Sequence, residues 1–158
     1  MSRAGSSEMP PPQPAPDSHS KPYWEHLARG ELAIQRCQAC REWQFPVLEF
    51  CRRCGGALGY EKLCGEGTIY SYLVQHHNVA PGFDALRPYA IALVTPDEAA
   101  HVRLAARIVE AAPDEVRIGQ RVRVEIVDLA GGDYKLPVFA LLADGASSDA
   151  VQGGDPPG

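Results

Sequence analysis

Four of the chain's five cysteines fall within "CQACREWQFPVLEFCRRCGG", as Cys37-x2-Cys40 and Cys51-x2-Cys54 with ten residues between the pairs. A two-residue gap lets one tight turn aim both sulfurs at a single ion, and four thiolates meet the tetrahedral preference of zinc. Gly55 and Gly56 allow a sharp turn after the last ligand. A catalytic zinc keeps one position open for water or substrate, whereas four thiolates close the shell. The expected role is therefore structural, contributing on the order of 10 kcal/mol to local folding. A redox pair is the weaker reading. It belongs at the start of a helix after a strand, and two pairs this close favour a metal. Cys64 has no base assigned to it and is expected to be a small buried side chain.

No other pattern in the sequence carries chemistry. "GEGTIY" has two of the three glycines of a dinucleotide fingerprint but precedes a strand, which is the wrong context. There is no P-loop and no Gly-x-Ser-x-Gly elbow. Asp97-Glu98 and Asp114-Glu115 sit in turn-like settings, where solvation or helix capping accounts for them. His76 and His77 are neighbours at a strand end and point to opposite faces, so they are not expected to share a metal. Arg103 and Arg107 share one outward face, and Arg121 and Arg123 another. If their strands lie close, they form a basic patch for a phosphate, an acidic partner or nucleic acid; otherwise they are a solvated exterior balanced by Glu125 and Asp128.

The elements that must position these residues follow from periodicity. In "SKPYWEHLARGEL", Pro22 suits a helix start and Gly30 a helix end. Tyr23, Trp24 and Leu27 share one face, which must dock because two turns are not stable alone. Strands are expected at Thr68–Val74, Tyr89–Val94, 101–109 and 121–128, the last two alternating apolar and polar with a period of two. "LPVFALLA" supplies a fifth, with Pro137 better placed at a start or an edge than in an interior. The fold class is mainly β. Five short antiparallel strands suit a closed OB-type barrel, and the pattern alone leaves a β-sandwich open. The expected divisions are a disordered tail over 1–19, a helical segment over 20–36, a zinc ribbon over 37–64, an OB-fold domain over 65–144 and a disordered tail over 145–158.

Composition narrows the partners. The net charge of −5 opposes long-range attraction to nucleic acid. No stretch approaches the ~18 apolar residues of a membrane helix, and the N-terminus has no signal-peptide core, so a cytoplasmic protein is expected.

The order of parts resembles a known family. "YWEHLARGEL", "QRCQACREWQFPVLEFCRRCGG", "GEGTIYSYLV", "PYAIALV" and "PDEVRIGQRVRVEI" are similar to the zinc-ribbon/OB-fold proteins of domain-of-unknown-function family 35, described as acyl-CoA-associated. The resemblance spans residues 20–143. It rests most on Phe45-Pro46, the Gly-x-Gly-Thr-x-Tyr-Ser stretch from Gly65, and the Val-Arg-Ile-Gly turn at Val116. Arg41 departs from it, standing where glycine is common.

The resemblance implies an N-terminal helix, a rubredoxin-like ribbon with structural zinc, and an OB barrel. It also implies a non-catalytic accessory subunit of a thiolase-like enzyme (thiolase, lipid-transfer-type thiolase or aldolase) in lipid or steroid acyl-CoA metabolism, with an enoyl-CoA hydratase as a further neighbour. Expected partner contacts are Tyr23, Trp24, Leu27, Trp43, Phe45 and Phe83, since aromatic residues are enriched at interface cores. The alternative is a single-strand nucleic-acid module with Tyr70 and Tyr72 as a stacking platform.

Overall fold

A computed structural model describes residues 9–77 and 80–143. The expected C-terminal tail and residues 1–8 lie outside the described residues.

The helix α1 runs Lys21–Ala28 with Pro22 in its first turn. It ends in a Schellman arrangement. Gly30 takes φ +77°, its N–H reaches the Leu27 carbonyl at 2.9 Å, and the Glu31 N–H reaches the His26 carbonyl at 3.0 Å. Leu27 is fully buried, so the apolar face docks on the chain's own body, against the strands Ala33–Cys37 and Lys135–Leu141.

The ribbon sheet has the order β2-β1-β3, from β1 (Ala33–Cys37), β2 (Trp43–Gln44) and β3 (Leu58–Lys62), all antiparallel. The ribbon thus takes in Ala33–Cys37, earlier than the boundary expected at residue 37.

Five strands then close a barrel in the order β4-β5-β6-β8-β7: β4 (Glu66–Gln75), β5 (Tyr89–Pro96), β6 (Leu104–Val109), β7 (Arg121–Asp128) and β8 (Lys135–Leu141). Closure removes most strand edges, which is how strands this short persist. Val102, Leu104 and Ile108 face inwards as their alternation predicts, around the fully buried Phe139, Ile69, Val94 and Val122.

Closure is uneven. β6 and β8 run parallel and pair only at Ile108↔Phe139 and Val109↔Ala140. Their first halves part. Pro137 lies in the parted stretch, where β8 has only β7 beside it, so the missing N–H is tolerated as at an edge.

Three expectations change. Residues 9–19 are not a free tail: Pro11 is buried against the turn at Gly82, and Gln13 donates from Nε2 to the Ala130 carbonyl at 2.9 Å. Proline and glutamine meeting glycine-rich turns leave no periodic signal. Cys64 is exposed, not buried: it sits in the link between ribbon and barrel, after the last ribbon strand and before the first barrel strand, with its N–H donated to the Glu98 carboxylate at 2.5 Å. Tyr70 and Tyr72 do not share a face. A β-bulge between Ile69 and Ser71 turns Tyr70 out while Tyr72 packs on the core. Among the described residues, no helix is long and apolar enough to cross a membrane.

Candidate metal centre and docking cleft

The two knuckles of the ribbon have the same geometry. Ala39 donates its N–H to the Cys37 sulfur, and Arg53 its N–H to the Cys51 sulfur, each at 3.4 Å. Each first cysteine carbonyl accepts from the residue four positions on: Arg41 at 3.1 Å in one knuckle, Gly55 at 2.8 Å in the other. The four sulfurs lie within 4.8 Å of one another, with Cys37–Cys54 at 3.5 Å and Cys40–Cys51 at 3.6 Å. Zinc with Zn–S bonds of about 2.3 Å spaces its sulfurs by about 3.8 Å, so the donor set fits zinc. Backbone N–H groups from Cys40 and Ala39 point at the Cys37 sulfur and lower its thiol from the ordinary value. A Cβ at Gly56 would stand 3.2 Å from the sulfurs of Cys37 and Cys54, so a side chain there would crowd the ligand set.

Trp43 is buried in the ribbon under the Arg36 guanidinium, 4.6 Å from its ring centroid. Its carbonyl lies 2.8 Å from His101 Nε2, and His101 Nε2 also lies 3.1 Å from the Glu42 carboxylate. Trp43 therefore ties ribbon to barrel, and it does not line the cleft that the other aromatic candidates share.

Those others converge. Where β6 and β8 part, a cleft of about 700 Å³ opens, roofed by Tyr23, Trp24, Phe45 and Phe83 and floored by Ile91, Arg107 and Val138. Helix, ribbon insert, long β4–β5 loop and barrel each contribute a wall. Tyr23 and Trp24 meet edge to face at 5.2 Å, and burial pushes the Tyr23 hydroxyl up to about 12. Arg107 is the one charged side chain among the described residues lining the cleft, and no carboxylate among them pairs with it. Leu27 lies beneath, in the core.

The condition for a basic patch, that the two arginine-bearing strands lie close, is not met. β8 separates β6 from β7. Arg121 is held by Asp97 through two bonds of 2.6 and 2.7 Å and lies 3.4 Å from Glu66, so Asp97 and Glu66 balance it in place of Glu125 and Asp128. That contact keeps the Asp97 carboxyl below its ordinary range. Arg103 stacks on the exposed Tyr70 ring at 4.0 Å, and Arg123 is exposed. Sequence reasoning missed the cleft as a whole. Its signal was indirect: the proline in β8 and the aromatic residues spread over three segments.

Comparison with known proteins supplies the context. Residues 24–61 match the model of the ChsH2 rubredoxin-like zinc ribbon domain, and residues 60–132 that of the ChsH2 C-terminal OB-fold domain. The chain is 35% identical over 130 residues to a probable enoyl-CoA hydratase alpha subunit of Thermomonospora curvata, covering 81% of this chain and 39% of that protein. It is 30% identical over 133 residues to the 3-oxo-4,17-pregnadiene-20-carboxyl-CoA hydratase alpha subunit of Mycobacterium tuberculosis, covering 79% and 42%. The chain thus spans about two fifths of the length of these curated relatives. Among solved structures it is similar to a chain of the Ltp2-ChsH2(DUF35) aldolase, with TM-score 0.74, 33% identity and coverage of 82% and 98%. A DUF35 protein of unknown function from Sulfolobus solfataricus shares the fold, with TM-score 0.54, 15% identity and coverage of 78% and 85%. Ribbon, barrel and matched residues agree, and the chain belongs to the ChsH2-type DUF35 family of zinc-ribbon/OB-fold proteins.

Proposed function

We propose that this chain is a non-catalytic, cytoplasmic accessory subunit of a thiolase-like acyl-CoA enzyme, which it binds and stabilises and whose substrate path it helps to shape. The observation that carries the reading is the apolar cleft at the meeting of helix, ribbon and barrel, with Arg107 unpaired inside it. Tyr23, Trp24, Phe45 and Phe83 offer the aromatic surface that interface cores favour. Arg107 would meet an anionic group of the partner or of its substrate. The closed four-thiolate set supports a structural zinc, and no nucleophile and base are paired among the described residues lining the cleft.

The name of the solved aldolase points the same way, since it joins Ltp2 with a ChsH2 DUF35 chain. The hydratase alpha-subunit names add an enoyl-CoA hydratase as a second acyl-CoA enzyme in the same setting, and one of them a steroid-type acyl group. The nucleic-acid reading loses support, because Tyr70 and Tyr72 form no common platform and Arg121 is neutralised by Asp97.

Co-expression with a thiolase-like enzyme tests the proposal. One hetero-oligomeric peak on gel filtration is the expected result. Two separate peaks with every thiolase-like enzyme tried would sink it.

A further inference from the structure

β4 is longer than the strand that covers it. β7 pairs with it only at Glu66, Gly67 and Thr68, and the turn before β7 extends this by one residue, through bonds between Ile69 and both Gln120 and Gly119 at 2.9 Å. From Tyr70 to Gln75, β4 has β5 on one side and no strand among the described residues on the other. That open edge is about 20 Å long at the usual rise per residue.

Sheet edges of this kind are normally blunted by charge, proline or a bulge. Here "GTIYSYLVQ", Gly67–Gln75, has no charged residue and no proline. The bulge falls at Tyr70, the first residue of the open stretch; beyond it Ser71–Gln75 pair residue for residue with β5 and stay regular. Leu73 is apolar and 52% exposed on this edge, with Ile118 at 67% on the neighbouring turn, while Tyr70 at the bulge carries the Arg103 guanidinium over its ring. The edge also continues the cleft. Leu73 stands opposite Ile91, and Ile91 opposite Arg107, so the three form one row across the sheet's outer face. Ile91 and Arg107 are cleft residues.

An unprotected ladder edge is completed by main-chain hydrogen bonds, and only an extended segment offers them in register. We propose that Ser71–Gln75 receives an extended strand from the thiolase-like partner, adding it to the barrel beside β4 with apolar side chains over Leu73. The inference rests on the accessory-subunit reading and names the surface that joins the two proteins.

Hydrogen–deuterium exchange of the full chain, alone and mixed with the Ltp2 subunit of the solved aldolase complex, tests it. Alternate amides of Ser71–Gln75, those turned away from β5, exchange fast in the free chain and slow by about tenfold or more in the complex. Leu73→Lys, at a half-exposed position, leaves zinc content and thermal midpoint unchanged and weakens the complex by about tenfold or more. A complex that forms with these amides still exchanging fast overturns this inference alone. No complex of the unaltered chain with Ltp2 or with any other thiolase-like enzyme tried overturns the accessory-subunit reading and this inference with it. Amides already protected in a free chain that sediments as a dimer would give the edge to a second copy and overturn the proposal.

Discussion

Arg41 and Gly55 occupy the same position in the two zinc knuckles. Each follows the second cysteine of its pair, each donates its N–H to the first cysteine's carbonyl, and each has a left-handed backbone, φ +64° and +73°. Glycine adopts this conformation without cost, whereas an L side chain loses about 1–2 kcal/mol. Arg41 has an offset that a bare turn lacks: its guanidinium lies 2.7 Å from the Glu61 carboxylate on β3. Gly55→Ala is therefore expected to lower stability by about 1–2 kcal/mol. Arg41→Gly should change it by less than about 1 kcal/mol, since relief of strain and loss of a half-exposed ion pair oppose each other. Urea unfolding of the zinc-loaded chain reads both.

Removing one ligand should do much more. Cys37→Ser leaves three thiolates around the ion. The expected outcome is loss of zinc, loss of ribbon folding and loss of partner binding together. Metal content by atomic absorption, with a far-ultraviolet spectrum of the same sample, checks the first two. Retention of zinc and fold would overturn the structural role of the site.

Leu27 and Phe83 separate the core from the docking surface. Leu27 is wholly buried under α1, so Leu27→Ala should cost about 2–5 kcal/mol in thermal or urea unfolding. Phe83 is half-buried on the loop that walls the cleft, so Phe83→Ala should cost much less stability.

Asp97 gives a pH signature. Its folded pKa lies below its ordinary 3.8, chiefly through the hydrogen bonds from Arg121. A lowered carboxyl pKa adds stability that is present above the unfolded pKa and is lost as pH falls through the folded one. Both partners are more than a third exposed, so the contribution should be at most about 1 kcal/mol. The stability difference between the unaltered chain and Asp97→Asn should be constant above about pH 5 and vanish towards pH 2. A difference that grew on acidification would contradict the pairing.

Much of this architecture was legible from residue order. The four cysteines announce their site because ligand spacing is a local property. The helix end at Gly30 and the alternation in β6 and β7 are local as well. What escaped depends on distant pairing. Tyr70 and Tyr72 look like one face until a bulge shifts the register. The two arginine pairs look like one patch until β8 is placed between their strands. The cleft arises because two strands far apart in sequence meet only at Ile108 and Phe139 and then part. The N-terminal strap is held by contacts to glycine turns, which periodicity does not mark.

The claim that the cleft receives the partner is tested most directly by calorimetric titration of the Ltp2-type enzyme with the unaltered chain, Phe83→Ala and Arg107→Glu. The account predicts that both variants keep their zinc and their unfolding midpoint and bind about thirtyfold more weakly or worse, the loss associated with a hot-spot side chain. Equal affinity for all three chains would contradict it.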